Sequence, residues 1–197
     1  IRIGNFIYIH NPFFEKNIVY KDGKIDFIET YLNLCILADS TINKAVYYKE
    51  INTICEEVKK EIEQVKNPHE IIGKINNYLF NSKGYKFIPV ADQNLFITES
   101  NKLELKEKGL VLNDYILMPS VLKSREGNCI SLSMLYLTIA NKLGLPLYGV
   151  SVPNHFFVRY NDGEKKINIE TTDGGKENSD EFYLGKQSFS NMKLSQK

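Results

Sequence analysis

Residues 129–143 constrain the fold more than any other segment, because they predict a helix with apolar side chains on nearly every side. Asn128 is a suitable N-cap for this helix, Gly144 ends it and Pro146 prevents it from continuing. A helix that is apolar all round is typical of the buried centre of a domain. We therefore expect the rest of the chain to pack around it.

Strand-like segments follow this helix. Residues 147–152 and 155–160 predict two strands separated by Pro153, and Ile167 and Ile169 alternate with polar residues in a third. The sequence at residues 161–164 (NDGE) is a strong signal for a tight hairpin turn. Beyond Gly175 we expect a polar, turn-rich tail.

The first half of the chain is predicted to be mainly helical. Residues 1–22 suggest an extended, turn-rich start, and apolar residues then recur at helical spacing in 24–38, 46–66 and 69–80. Residues 81–115 predict a loop-rich excursion with one short helix. We expect an N-terminal part (1–67) packing on a core (68–185), followed by a polar tail (186–197).

Composition excludes several classes of function. Net charge is +1 and no basic cluster occurs, so we expect no nucleic-acid partner and no membrane segment. Three cysteines make no disulfide framework, and the absence of CxxC or HExxH spacing predicts neither a metal nor another cofactor. Free thiols lean weakly towards the cytoplasm. The chain starts at Ile1, so we expect a cut or processed product that could have lost a signal or anchor. The oligomeric state stays open.

A cysteine and a histidine occupy positions suited to nucleophilic chemistry. Cys129 lies at the predicted start of the apolar helix, where unpaired backbone N–H groups carry partial positive charge. His155 lies at the start of a predicted strand. An imidazole within reach of such a thiol favours a thiolate–imidazolium pair near neutral pH.

The predicted hairpin supplies a third group. With a two-residue loop at residues 162–163, or a four-residue loop at residues 161–164, His155 lies directly opposite Glu170, with Cβ atoms about 5 Å apart. A three-residue loop would shift the register and break this pairing. A carboxylate there would hold the tautomer and orientation of the imidazole. The Cys129 backbone N–H could help to bind a tetrahedral oxyanion, and Asn128 and Asn154 are candidate supporting groups.

Structural interpretations remain open for each of these residues. Cys129 fits a core thiol, as we expect for Cys35 and Cys55 on apolar helix faces. His155 fits a buried strand histidine. Glu170 fits an exposed carboxylate that pairs with a neighbouring lysine.

Four motifs, taken in order, resemble the transglutaminase-like superfamily, above all a bacterial branch of it. They are residues 125–133 (REGNCISLS), 143–146 (LGLP), 152–159 (VPNHFFVR) and 169–175 (IETTDGG), within a resemblance that covers roughly residues 68–175. It implies a papain-like α+β fold, in which a central helix carrying cysteine packs on an antiparallel sheet, here with an N-terminal helical region.

The resemblance also implies acyl transfer on protein or peptide amides through a thioester, by a peptidase, amidase, deamidase or transglutaminase. By position Cys129 matches the nucleophile, His155 the base and Glu170 the acid. Two features depart from the family pattern: the acid is usually aspartate, and this chain has no tryptophan beside the cysteine. The alternative is a catalytically inactive interaction module in a larger protein.

Overall fold

A four-stranded antiparallel sheet and one buried helix form the centre of the structure, a computed structural model that describes residues 2–3, 6–7, 18–21, 23–88, 117–153 and 155–184. The α-helices are α1 (Phe27–Ala38), α2 (Lys44–Ile62), α3 (Pro68–Asn76), α4 (Met118–Ser124) and α5 (Cys129–Lys142). The central sheet contains β7 (Leu147–Val152), β8 (His155–Asn161), β9 (Lys166–Glu170) and β10 (Lys176–Asn178), in the order β10-β9-β8-β7.

Short strand pairs complete the described structure. They are β1 (Arg2–Ile3) with β2 (Phe6–Ile7), β3 (Tyr20–Lys21) with β4 (Lys24–Ile25), and β5 (Lys86–Phe87) with β6 (Glu126–Gly127). The β5–β6 pair is parallel and leads directly into α5. Of the predicted loop-rich excursion, residues 89–115 lie outside the described residues.

The central helix α5 is buried as predicted. Ten of its 14 residues are buried, and it packs on β7 and β8 of the sheet and on α1, α2 and α4. The apolar side chains of α5 and of the N-terminal helices belong to one buried cluster. This arrangement confirms the α+β fold with an N-terminal helical region, whereas the division at residues 67 and 185 stays a prediction.

The N-terminal helices begin at polar caps. The side chains of Asp26, Asn43 and Asn67 accept backbone N–H groups from the first turns of α1, α2 and α3. Helix α1 starts three residues later than predicted, because β4 pairs with β3 first. Helix α2 ends at Ile62, before the predicted limit, and α3 continues as a π-helix over Asn77–Ser82. Within the described part of the chain, no helix has both the length and the apolar character needed to cross a bilayer.

The predicted hairpin register is wrong by two residues. Strands β8 and β9 pair Asn161 with Lys166 and Val158 with Ile169, so the connecting loop spans residues 162–165. The Asp162 Oδ1 atom accepts the backbone N–H groups of residues 164 and 165, at 2.9 and 2.7 Å. These bonds draw residue 165 into the loop, and Glu170 is therefore not directly opposite His155.

The tail prediction is also wrong for residues 176–184. Strand β10 pairs antiparallel with β9, and residues 180–184 form a short helical segment. The Asp180 carboxylate holds this segment to the sheet through Arg159 Nη2, at 2.5 Å, and Asn168 Nδ2, at 2.8 Å. Backbone pairing and one acidic side chain thus organise a stretch whose polar composition suggested turns.

Candidate functional site

The start of helix α5 fixes the position of Cys129. The Asn128 Oδ1 atom accepts the backbone N–H groups of Ile130 and Ser131, each at 2.9 Å. In return, the Asn128 backbone N–H donates to Ser131 Oγ at 3.0 Å, which completes a capping box. Cys129 is the first helical residue, with 8% of its surface exposed, and its N–H has no acceptor within the helix.

A close approach at Gly127 holds the residues before the cysteine in place. A Cβ atom at Gly127 would lie 2.7 Å from Ser131 Oγ and 2.8 Å from Val121 Cγ2, closer than real Cβ atoms pack. The absence of a side chain therefore lets β6 run directly over the helix start.

His155 and Glu170 form a direct hydrogen bond. The distance from His155 Nε2 to Glu170 Oε2 is 2.6 Å, and the two side chains are 16% and 3% exposed. The two-residue slip in register leaves both side chains on one face of the sheet, because side-chain direction alternates with a period of two. They are now diagonal neighbours, whose Cα atoms in an antiparallel pair lie about 7–8 Å apart. The long glutamate side chain bridges this separation.

The second oxygen of Glu170 is bound within its own turn. Oε1 accepts the Thr172 hydroxyl at 2.6 Å and the Thr172 backbone N–H at 3.2 Å, so the carboxylate caps the 3₁₀ turn Thr171–Asp173. The same turn is held to α3, because Asn76 Nδ2 donates to the Gly175 carbonyl at 2.8 Å. A Cβ at Gly175 would lie 2.2 Å from Asn76, so this contact requires glycine.

Electrostatics favour a charged imidazole. Burial opposes the charged form, but hydrogen bonds to Cys129 and Glu170, together with their charges, raise the pKa of His155 to about 9. For Glu170, burial acts to raise the pKa, but the hydrogen bonds from His155 and Thr172 outweigh it and lower the pKa below its ordinary value. Because Nε2 faces Glu170, Nδ1 is the ring nitrogen left for the thiol.

Aromatic rings cover one side of this pair. The Tyr183 ring stacks on Phe157 with centroids 3.8 Å apart, and its centroid lies 6.1 Å from that of His155. Burial and the nearby Glu170 carboxylate raise the pKa of Tyr183. Neither Tyr183 nor Thr172 was predicted from the sequence. No local pattern marks Tyr183, whereas a threonine two residues after a strand-terminal carboxylate is a weak signal for a capped turn.

The remaining sequence predictions have different outcomes. Cys35 and Cys55 are buried core thiols, as predicted, and burial raises the pKa of each to about 12. Asn128 acts as the helix cap, while its Nδ2 is buried with no hydrogen-bond partner in the described structure. Asn154 lies outside the described residues. Within the described ranges, no cluster of three or more histidine, cysteine or acidic side chains could hold a metal ion.

Comparisons with known proteins agree with the motifs. A model of the transglutaminase-like superfamily matches residues 45–183. A UPF0162 protein from Xylella fastidiosa is 28% identical over 165 residues, which make up 84% of this chain and 52% of that protein. The proteins named F-box only protein 21 from Mus musculus and Homo sapiens are 39% and 40% identical over 74 residues, 36% of this chain and 12% of each relative.

The chain therefore spans about half or less of the length of these curated relatives. No solved structure matches it significantly. The family match extends further towards the N-terminus than the motifs and includes nearly all of α2. Since it covers more than half of the chain, and the fold has the predicted cysteine-bearing helix on an antiparallel sheet, the chain belongs to the transglutaminase-like superfamily.

Proposed function

We propose that this domain catalyses cysteine-dependent acyl transfer on protein or peptide amides, with Cys129 as nucleophile, His155 as acid–base and Glu170 as the group that orients His155. One observation carries the proposal: His155 hydrogen-bonds Glu170 through Nε2, and both Cys129 and Glu170 contribute to the raised pKa of His155. A partly buried imidazole between a thiol and a carboxylate is the arrangement that activates a cysteine nucleophile.

The acylation step follows from these positions. The Cys129 thiolate attacks the amide carbonyl carbon, a C–S bond forms, and the carbonyl oxygen becomes an oxyanion. When the tetrahedral intermediate collapses, the C–N bond breaks and His155 donates its proton to the leaving amine. Glu170 stays ionised and holds the ring throughout, and the product bound to the protein is a thioester.

The oxyanion needs donors near the sulfur. We assign the Cys129 backbone N–H as the first, because the initial N–H groups of a helix lack internal acceptors and lie at its positive end. Asn128 Nδ2, a buried donor without a partner in the described structure, is the second candidate. Asn154 stays a supporting candidate because of its position next to the base in the sequence.

The second half of the reaction regenerates the thiolate. Water or an amine attacks the thioester carbonyl, His155 accepts the proton of the attacking group, and the C–S bond breaks. Water gives hydrolysis and an amine gives transfer. No step requires a metal or an organic cofactor.

A second candidate function is a non-catalytic interaction module built on the same scaffold. The observation that favours it is the burial of Cys129, which is 8% exposed. A thiol that an amide carbonyl cannot reach would contribute only to packing at the start of α5.

Hydroxylamine trapping separates the two candidates, because this small nucleophile converts an acyl thioester into a hydroxamate whatever the natural acceptor is. The protein is incubated with a mixed tryptic peptide digest and hydroxylamine, and peptide hydroxamates are measured by mass spectrometry. Cys129→Ala should abolish their formation. Cys55→Ala, the same substitution at another buried thiol, should retain it. Equal hydroxamate formation by Cys129→Ala and the wild type, or none by the folded wild type, would contradict the proposal.

A further inference from the structure

Two hydroxyl groups are buried beside the candidate triad without a role in the proposed chemistry. Ser133 and Thr171 are 0% and 1% exposed, and the distance between Ser133 Oγ and Thr171 Oγ1 is 2.9 Å. Ser133 Oγ also lies 3.5 Å from the carbonyl oxygen of Phe156, a longer and weaker contact.

Each member of this cluster adjoins one residue of the triad. Ser133 lies one helical turn after Cys129, so the two side chains share a face of α5. Phe156 directly follows the base on β8, and Thr171 directly follows the acid at the end of β9. The hydroxyl pair therefore joins the helix, the strand and the turn that carry the three reactive groups.

In one arrangement, each of the two hydroxyl hydrogens has a hydrogen-bond acceptor. The Thr171 hydroxyl donates to Ser133 Oγ, and the Ser133 hydroxyl donates to the Phe156 carbonyl. Buried hydroxyls are costly when unpaired, and small apolar residues would fill this space without that risk. A fully paired polar contact in an otherwise apolar interface instead fixes one relative placement of the elements that it joins.

We propose that the Ser133–Thr171 hydroxyl pair positions Cys129, His155 and Glu170 relative to one another, by fixing α5 against β8 and the turn after β9. The inference rests on the proposed function, because it assigns positioning residues to that same site. Without the pair, α5 can shift against the sheet, and a shift of about 1 Å at a reacting group is enough to slow chemistry severely.

Two substitutions at Thr171 isolate the hydroxyl. Thr171→Val keeps the shape and removes the hydroxyl, whereas Thr171→Ser keeps the hydroxyl and removes the methyl. We expect Thr171→Val to slow iodoacetamide alkylation of Cys129 at pH 6 about fivefold, the equivalent of one typical hydrogen bond. The NMR titration midpoint of His155 should fall in the same variant. Thr171→Ser should stay within about twofold of the wild-type rate and keep the wild-type midpoint.

Ser133→Ala provides an independent variant if Thr171→Val does not fold, and it should cause the same changes. The double variant should be no worse than Ser133→Ala alone, because that substitution already removes the bond between the two hydroxyl groups. Equal behaviour of Thr171→Val and Thr171→Ser in both measurements would overturn the inference, as would wild-type values for Ser133→Ala. The His155 titration needs no turnover, so it decides the positioning role even if hydroxylamine trapping refutes the proposed function.

Discussion

Replacing Glu170 by glutamine tests the source of the charge on His155. The bond from His155 Nε2 to Glu170 Oε2 is short, at 2.6 Å, and the carboxylate is nearly inaccessible to water. A hydrogen bond to a charged group contributes about 1.5–3 kcal/mol, and one pKa unit corresponds to about 1.4 kcal/mol. The Glu170→Gln variant should therefore lower the pKa of His155, which is about 9 in the native protein, by about 1–2.

The register of the β8–β9 pair leads to a second prediction, for the Glu170→Asp substitution. Because the two residues are diagonal neighbours, Glu170→Asp withdraws the carboxylate by roughly the length of one C–C bond, about 1.5 Å, and breaks the contact with Nε2. Its charge remains nearby, so the pKa of His155 should fall less in Glu170→Asp than in Glu170→Gln.

The assay is an NMR titration of the His155 ring proton on Cε1, assigned by its absence in His155→Gln. Circular dichroism checks that each variant is folded. A titration midpoint for His155 in folded Glu170→Gln within about 0.3 of the wild-type value would refute the reasoning, since that corresponds to less than about 0.5 kcal/mol.

Three further predictions concern stability. Gly127→Ala should lower the free energy of unfolding, measured in urea, by about 1–3 kcal/mol, because the added methyl group overpacks the start of α5. Gly73→Ala, at an uncrowded position on α3, should raise the same free energy by up to about 1 kcal/mol. Equal effects of the two substitutions would contradict the close packing around Gly127. Tyr183→Ala should cost about 3 kcal/mol in the same assay, because it removes the ring stacked on Phe157. Because the pKa of His155 is raised in the folded protein, protonation of this residue stabilises the fold. The stabilisation is fully present below about pH 6.5, the pKa of an unperturbed histidine, and is lost as the pH rises through about 9. Melting temperatures should therefore fall between these values, and less steeply in His155→Gln.

The helix and strand pattern could be predicted from the sequence because local signals agree with the tertiary structure. Helix α5 has a cap at its start and apolar residues throughout, and the ends of β7 and β8 coincide with breaks in the pattern. The cysteine at the helix start and the histidine at the strand start follow directly from these boundaries.

The hairpin register depends on interactions that turn signals alone do not encode. An Asp-Gly pair favours a two-residue loop, but Asp162 accepts two backbone N–H groups and holds a four-residue loop instead. His155 and Glu170 still lie close together despite this error, because a shift of two residues keeps both side chains on the same face of the sheet. The slip also gives a physical reason for glutamate at this position, since the longer side chain spans the diagonal.

Long-range contacts explain the features that sequence analysis missed. Strand β10 has no alternation of apolar and polar residues, and it forms because its backbone completes the edge of the sheet next to β9. Tyr183 reaches the site because Asp180 holds its segment to the sheet. The Ser133–Thr171 contact joins residues 38 positions apart, a pairing that only the assembled fold reveals.

The pH dependence of Cys129 alkylation tests the central claim, that His155 and Glu170 activate this thiol, most directly. The rate constant for iodoacetamide is measured by peptide mass spectrometry from pH 5 to pH 10, in the wild type and in His155→Gln. A free thiol, with a reference pKa of about 8.5, loses more than 99% of its thiolate by pH 6. The wild type should keep a substantial share of its pH 9 rate at pH 6, and His155→Gln should lose nearly all of it. The same steep loss in both proteins, or a Cys129 that does not react at any pH, would contradict the account.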